Sequence, residues 1–568
     1  MKKRLFSILL ALCMVLCFVP TTAFAESETE EPPVCCCETA CTAEAMNADC
    51  PICGTEGALP ENCAKCSQPA DDAAVQPEGK VSDPQPEGKV SDPQPETALT
   101  ALIGGNETAK DVSTAEELTA AIADVNFDTV RLTGDISISS TLTVNRTVTL
   151  DLNGHVLKYE SANNGSVIVV EGSGQLTIED SNTSNLSHKF NPNGKLWVLD
   201  EASGTEAVTG GVITGGKGYP FHLVSGTVNC GGGVYIAPGG QLTMTGGNII
   251  GCSAEFGGGV CIYPRQNGEQ IQFSMSGGSI IGCVASDLGG GVCAYGTFKM
   301  SGQAVIRSCA VESADNFVCG GGVYVDGSFE MSGEATIKGC QAISDFANGG
   351  GVFVNSSRSF VMSNEAKIEN CQAISNSSNS SKSSNGGGVY LANNTKFTLS
   401  GSAVIQNCTA TNSANHGEAY GGGVSADCVK EITLADSARI VGCAAANGSG
   451  LYIIGSQVPG YGILYANSGS VDGDVVLGDT EDGPSTITGS GGTVFNGKVT
   501  VTPGSTIESG TFNGEVINNG TITGGVFNNT VSGSGTITGG TFTGTVINSE
   551  SGTIAEGVSI NHLQFVVT

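Results

Sequence analysis

The sequence predicts an all-β fold, a right-handed parallel β-helix with three strands per coil, and three observations lead to it. A Gly-Gly-Gly-Val segment recurs seven times, starting at Gly231, Gly257, Gly289, Gly320, Gly349, Gly386 and Gly421. Between these segments apolar and polar residues alternate, as in strands with one buried face. Glycine is abundant, at 83 of 568 residues, and charged residues are only 14%. That composition is typical of solenoids built from short strands and tight turns.

Each repeat carries the same three strand patterns in the same order. The first strand follows the glycines, as at Val323–Val325, and the second places Phe329 two residues before Met331. The third places Ile337 three residues before Cys340. Equivalent residues of successive coils should lie about 4.8 Å apart, so we expect internal ladders of Val, Phe, Met, Ile and Cys. The ladder cysteines should be free thiols, and the handedness of parallel crossovers makes the winding right-handed.

Residues 1–25 have the three parts of a secretory signal peptide. They contain the cations Lys2, Lys3 and Arg4, an apolar run over 5–19, and the small-x-small sequence of residues 23–25. No later segment of the sequence approaches the roughly 20 apolar residues that a membrane span needs. We therefore expect a secreted or cell-surface protein with no membrane span in the mature chain.

Residues 26–70 form a cysteine-rich head with few large apolar residues, and residues 71–109 form a Pro-rich linker. The head contains two CxxC motifs, which place Cys50, Cys53, Cys63 and Cys66 so that they can hold one zinc ion. Eight cysteines in an exported segment without a core also suit a disulfide framework. Zinc and disulfides both remain open.

The β-helix is predicted over residues 110–475, and a short helix should cover its first coil. Ser113 and Glu116 match a capping box at the start of that helix. Its apolar face carries Leu118, Ile122 and Val125. Such a lid hides the apolar interior and the unpaired backbone groups of a terminal coil.

Residues 476–568 are expected to form an extension with a shorter period. Three fifteen-residue repeats begin at Thr506, Thr521 and Thr536, with apolar residues mostly five apart. This spacing predicts a narrower β-solenoid that continues the rod, with hairpins as the alternative.

The formal net charge of -31 disfavours binding to nucleic acid or to an anionic membrane. One acidic group could gather around calcium, and it comprises Asp472, Asp474, Asp479, Glu481 and Asp482. Clustered acids in an acidic chain are usually only solvated, so calcium is not expected.

At these repeats the chain resembles right-handed parallel β-helix proteins of the pectin-lyase-like superfamily, over about 110–475. The Gly-Gly-Gly-Val segments are similar to the Gly-Gly-Ala-Ile repeats of polymorphic outer-membrane adhesins. The Phe-x-x-Asn motif of those adhesins is replaced by Phe-x-Met-Ser-Gly, as at 329–333. The Leu-Asp-Leu-Asn-Gly stretch at 150–154 and the cysteine-rich head are similar to adhesin-like surface proteins of Gram-positive gut bacteria. The resemblance implies adhesion or polysaccharide chemistry, and the fold hosts both.

One row of side chains is predicted to point out of the coil, directly after the valine of each repeat. The row comprises Tyr235, Cys261, Cys293, Tyr324, Phe353, Tyr390 and Ser425. Aromatic rings with polar tips can stack on sugars, so Tyr235, Tyr324, Phe353 and Tyr390 are the predicted ligand contacts. The alternative is that these rings stack on one another or lie under the loops.

The segments after the ladder cysteines vary from four residues, 253–256, to fourteen, 372–385. Because these segments all extend from the same edge of the rod, we expect them to form one rim of variable loops that is suited to recognition. Catalysis would need carboxylates that converge on one face. A second external row instead has mixed character, with Ile250, Ile281, Arg307, Lys338, Glu369, Gln406 and Val441. We assign no catalytic residue.

The leading hypothesis is a non-enzymatic, adhesin-like protein that presents its loop rim or its aromatic row to a glycan or a host surface. A polysaccharide lyase or glycoside hydrolase of the β-helix class is the first alternative. A structural stalk without a ligand of its own is the second.

Overall fold

The computed structural model describes residues 109–566, except 183–185, 224–225, 264–271, 315–316, 378–381, 413–417, 479–482 and 550. These residues form a right-handed parallel β-helix, as predicted. The predicted signal peptide, the predicted cysteine-rich head and nearly all of the predicted linker lie outside the described residues.

The second strand of each coil forms a 17-stranded sheet, here called the phenylalanine wall. Its strands are Ala109–Val112, Thr129–Leu132, Thr147–Asp151, Gln175–Glu179, Gln241–Met244, Gln272–Met275, Thr297–Met300, Ser328–Met331, Ser359–Met362, Lys396–Leu399, Glu431–Leu434, Ile463–Ala466, Thr486–Thr488, Thr506–Ile507, Thr521–Ile522, Thr536–Ile537 and Thr553–Ile554. All the pairings described in this wall are parallel, so each strand is one coil further along the rod.

The first strand of each coil forms the valine wall. Its strands are Leu142–Val144, Ile168–Val170, Val234–Ile236, Val260–Ile262, Val292–Ala294, Val323–Val325, Val352–Val354, Val389–Leu391, Val424–Asp427, Leu451–Ile454, Val475–Leu477, Val499–Val501, Val516–Asn518, Val531–Gly533, Thr541–Ser549 and Ile560–Val566. The third strand of each coil forms the isoleucine wall. Its strands are Ile136–Ile138, Val156–Tyr159, Val212–Thr214, Asn248–Ile250, Ser279–Ile281, Val305–Arg307, Thr336–Lys338, Lys367–Glu369, Val404–Gln406, Arg439–Val441, Ser470–Val471, Val494–Phe495, Thr511–Phe512 and Val526–Phe527. The two walls join at Thr541–Ser549, which pairs with both.

The interior consists of the predicted ladders. Phe298, Phe329 and Phe360 lie in one file, with ring centroids 4.9 and 4.8 Å apart and the rings nearly parallel. All three rings are buried. Successive coils therefore place identical side chains directly over one another, which confirms the predicted register.

The seven ladder cysteines are buried in the same core as free thiols, as predicted. Their sulfurs lie within hydrogen-bonding reach of backbone carbonyls, as Cys340 does with the carbonyl of Lys338 at 3.5 Å. Burial raises the pKa of the Cys309, Cys340 and Cys408 thiols. These thiols therefore remain protonated in the folded chain.

Each of the three glycines of the Gly-Gly-Gly-Val segment is required for a different steric reason. The first has a positive φ in all seven repeats, as at Gly349 with φ 65°. A Cβ on the second, Gly350, would overlap the backbone of Gln372 and of the next coil. A Cβ on the third, Gly351, would press on the Cγ2 methyl of Ile368. The end of each of these seven coils therefore packs against its own glycine segment, and this contact closes the core.

The lid helix spans Ala115–Ala123, and its buried residues are Leu118, Ala121 and Ile122. Two details differ from the prediction. The capping box is formed by Thr114 and Glu117 instead of Ser113 and Glu116, because Thr114 is the residue with extended backbone at the helix start. Val125 follows the helix and is 73% exposed.

The extension continues the same three walls with shorter coils. Val475 pairs with Val499, whereas Val516 pairs with Val531, only fifteen residues on. Phe495, Phe512, Phe527 and Phe542 form a second stacked file, with ring centroids 4.8 to 5.0 Å apart. The predicted narrower solenoid is confirmed.

Two further sheets lie outside the coil. The flap is an antiparallel sheet of Ser187–Asn193, Leu196–Leu199 and Glu206–Thr209. The flange is a 12-stranded sheet of Tyr219–Leu223, Gly226–Cys230, Ser253–Phe256, Val284–Leu288, Ala310–Glu312, Phe317–Cys319, Gln341–Ser344, Phe346–Asn348, Gln372–Ser375, Ser383–Asn385, Thr409–Asn412 and Glu418–Tyr420.

We predict that Gly350→Ala lowers the thermal unfolding midpoint and costs at least about 2 kcal/mol, because its Cβ meets backbone that cannot move aside. Gly134→Ala is the matched control, since nothing lies within 4 Å of a Cβ there. Equal midpoints for the two variants would contradict the closing role of the glycine segment.

We also predict that the chain loses stability as pH rises above about 8.5, where thiols of the unfolded chain ionise. The folded chain keeps those protons, so the unfolded state binds fewer protons and the free energy of unfolding falls. Urea unfolding at pH 7.5 and 9.5 measures the loss. Cys340→Ala should reduce it, and an unchanged pH dependence in that variant would count against buried, protonated thiols.

Candidate functional site: the flange and the aromatic row

The predicted aromatic row exists as one file on the outer face of the valine wall. Tyr324 pairs in register with Phe353, and Phe353 with Tyr390. Tyr235 lies three coils earlier in the same file, which continues through Cys261 and Cys293. The period-two pattern therefore predicted the correct wall and the correct side of the strand.

The predicted exposure of this row is wrong. Only 2% of Tyr235, 1% of Tyr324 and 5% of Phe353 is exposed, and Tyr390 is half-buried. The flange covers them, because each flange segment folds back over the valine wall before it enters the glycines. Phe317 and Cys319 of the flange pack in the same apolar cluster as the row. The structure agrees with the alternative given in the sequence analysis, in which these rings stack on one another and lie under the segments outside the coil.

The rings also stack along the rod. The ring centroids are 5.4 Å apart for Tyr324 and Phe353, and 5.1 Å apart for Phe353 and Tyr390. Burial raises the pKa of Tyr235, Tyr324 and Tyr390 above that of free tyrosine. The Tyr390 hydroxyl donates to Asp427 at 3.4 Å. The buried Tyr324 hydroxyl has no hydrogen-bond partner among the described residues.

The predicted loop rim consists largely of strands. In one coil Gln341–Ser344 runs outward and Phe346–Asn348 returns. Ala342 and Ala347 are both fully buried in a separate cluster of small residues between the two strands. Because alanine recurs there in successive coils, the two layers pack closely and the segments form a sheet instead of independent loops.

Polar ladders fix the register of the flange. Gln341 donates to Gln372 at 2.6 Å, and Asn385 donates to Asn348 at 2.7 Å, each across one coil. Near the flange edge the Lys382 ammonium lies 3.3 Å from the Asp345 carboxylate and over the ring of Phe346. The repeated Gln-Ala-Ile-Ser sequence of 341–344 and 372–375 was the sequence signal for these strands.

The second external row begins under the flap, which the sequence analysis did not predict. Ile250 and Ile281 are buried against Trp197, the only tryptophan of the chain. The Trp197 amide donates to the Gly282 carbonyl at 3.0 Å, and a Cβ on Gly282 would overlap the Trp197 ring. The Arg307 guanidinium lies over the same ring, 4.8 Å from its centroid. The row therefore begins as a docking site for the flap and is polar from Arg307 to Gln406.

Three carboxylates approach one another near the start of the β-helix. Asp151 pairs in register with Glu179, and burial together with Asp151 raises the pKa of Glu179. Asp151 accepts hydrogen bonds from Ser181 and from the Asn153 amide. Asp180 accepts from the amides of Gly154 and Gly211. Asp151 and Asp180 thus stabilise the turns between strands, and we interpret these hydrogen bonds as structural.

The predicted zinc ligands Cys50, Cys53, Cys63 and Cys66 lie outside the described residues. Within the described ranges, no group of three or more His, Cys, Asp or Glu side chains is placed to hold a metal ion. Asp472 accepts a hydrogen bond from Asn496 at 2.6 Å, and Asp474 accepts from the Lys498 amide at 3.0 Å. These two acids stabilise coil turns.

Residues 109–206 match the family model of a pectate lyase-like adhesive domain. That region contains the lid helix, the first coils and most of the flap. The match and the fold together support a pectin-lyase-like parallel β-helix protein of the adhesin type. No curated protein and no solved structure matches the chain. In the described part of the chain, no helix is both long and apolar enough to cross a membrane.

We predict that Tyr324→Phe raises the free energy of unfolding by about 1 kcal/mol, because it removes a buried hydroxyl that lacks a partner. Thermal unfolding measures the change. Tyr390→Phe is the matched variant two coils along the row, and it should be neutral or destabilising because its hydroxyl bonds to Asp427. A destabilised Tyr324→Phe chain would show that the hydroxyl is satisfied.

Proposed function

We propose that this chain is a secreted or cell-surface adhesin-like protein whose flange is presented to a glycan or a host surface. The observation that carries the proposal is the match to an adhesive domain at the start of a long, regular rod. A rod of stacked coils holds a recognition surface at a fixed distance and repeats it along its length.

The outer flange strand supplies the surface in this proposal. Gln341, Gln372 and Thr409 form one outward file there, and Ile374 and Thr411 continue another from the buried Ile343. Amide, hydroxyl and aliphatic groups in alternation suit a ligand with both hydroxyl groups and apolar faces, as sugars have. The aromatic row of Tyr235, Tyr324, Phe353 and Tyr390 has a supporting role, because it holds the flange against the rod.

Binding of the full chain to a glycan array and to immobilised host surface proteins tests the proposal. The variant Ile374→Arg with Thr411→Arg changes two adjacent flange positions. It should weaken binding at least tenfold, because two cations and two long side chains then occupy the contact surface.

The matched control is Gln406→Arg with Val441→Arg, which changes two adjacent positions of the isoleucine wall. It should bind as the natural chain does. Equal losses in both variants would indicate a general charge effect and would contradict a flange site. Release of unsaturated or reducing sugars from acidic or neutral polysaccharides would instead favour the lyase or hydrolase alternative.

A further inference from the structure

The three walls differ in what covers them. The flange covers the outer face of the valine wall, and the flap covers the first part of the isoleucine wall. The outer face of the phenylalanine wall carries no second layer of strands along the described coils. This open face is a ribbon of 17 parallel strands, and its outward side chains stand in files along the rod.

Threonine dominates two segments of the open face. In the extension Thr486, Thr506, Thr521, Thr536 and Thr553 pair in register, one per coil. Because they occupy equivalent positions of adjacent parallel strands, their side chains repeat about every 4.8 Å. Near the other end of the rod Thr149, Thr177 and Thr243 form a similar file.

The hydroxyls of the extension file are available to a ligand. No side-chain hydrogen bond joins any of these five hydroxyls to another described residue. A neighbouring file behaves differently, since the Thr523 and Thr538 hydroxyls each donate to a carbonyl of the preceding coil at 3.3 Å. In these two coils the hydroxyl of Thr521 or Thr536 can both donate and accept a hydrogen bond. The hydroxyl of Thr523 or Thr538 already donates to a carbonyl and can still accept.

The charged side chains between the two threonine segments offset one another. Lys299 lies 3.1 Å from Glu330, and Lys396 lies 3.1 Å from Glu431, in each case across one coil. Between the two threonine segments the open face is thus close to neutral, although the chain as a whole carries a net charge of -31. An anionic polymer would find no concentrated cation here, and the overall charge would repel it.

We propose that the threonine file of the extension binds an extended, neutral polysaccharide that lies along the rod. A linear chain of sugars repeats its hydroxyl groups in one direction, as the file does. Each rung can exchange hydrogen bonds with one sugar without burying a charge. This inference rests on the proposed adhesin-like function but names a different face from the flange.

A second copy of the chain is a poorer occupant of this face. Protein interfaces depend on buried aromatic or aliphatic anchors at their centre. The file contains only threonine, and its apolar neighbours Ile507, Ile522 and Ile537 point into the core. A ligand that is itself rich in hydroxyl groups matches this surface better.

Adsorption of the full chain to cellulose, chitin and mannan, with polygalacturonate as the acidic comparison, tests the proposal. The variant Thr521→Val with Thr536→Val removes two hydroxyls and keeps side-chain shape and strand preference. It should lower affinity for the neutral polymer about tenfold. The control Thr511→Val with Thr541→Val removes two outward threonines from the isoleucine wall of the extension, one on either side of Val526, and it should leave affinity unchanged.

Unchanged binding in the first variant, or equal losses in both, would overturn the proposal. Preferential binding to polygalacturonate, or no binding to any neutral polymer, would overturn it as well. Self-association that the first variant weakens would assign the face to a second copy and overturn it too. The flange variant Ile374→Arg with Thr411→Arg should retain polysaccharide adsorption, so failure here is distinguishable from failure of the flange proposal.

Discussion

The close contact at the glycine segment is the constraint on which the rest of the structure depends. Each coil must end where it began, one strand spacing further along the rod, and in the seven central repeats its last residues pass beside the glycines. The backbone of Gln372 lies where the Cβ of Gly350 would be, and the methyl of Ile368 lies where that of Gly351 would be. Any larger residue would hold the walls apart and open the interior. The same contact separates the main core from the flange, so the chain can leave the coil and return without disturbing its packing.

The interior could be predicted from the sequence because a period of two assigns each strand residue to one side of its wall. Phe298, Phe329 and Phe360 fall in one file for that reason, and so do the ladder cysteines. The same period cannot say whether a second layer covers the outward side. Tyr324 was placed on the correct side of the valine wall, but its burial depends on the flange, which comes from a different part of the repeat.

The flange and the flap were missed for related reasons. Strands such as Phe346–Asn348 have only three residues, and their alternation is too short to distinguish from a loop. What stabilises them is repetition between coils, seen in Ala342 and Ala373 as well as in the glutamine ladder. The flap occurs once, so no repeat could reveal it. The capping box was displaced by one residue, because Ser113 and Thr114 can both cap and only the backbone decides between them.

The attachment of the flap has a consequence for how the chain finds its own alignment. Because the repeats are nearly identical, a coil could pair with the wrong neighbour in a register shifted by one whole repeat. Such a misfolded chain would still stack Phe on Phe and Ile on Ile. Trp197 meets Gly282, and its neighbours Ile250 and Ile281 belong to two successive coils. Among the described coils, no other two adjacent positions of this row are both apolar, since the later ones are Arg307, Lys338, Glu369, Gln406 and Val441. A single non-repeating contact thus makes the correct threading lower in free energy than its shifted copies.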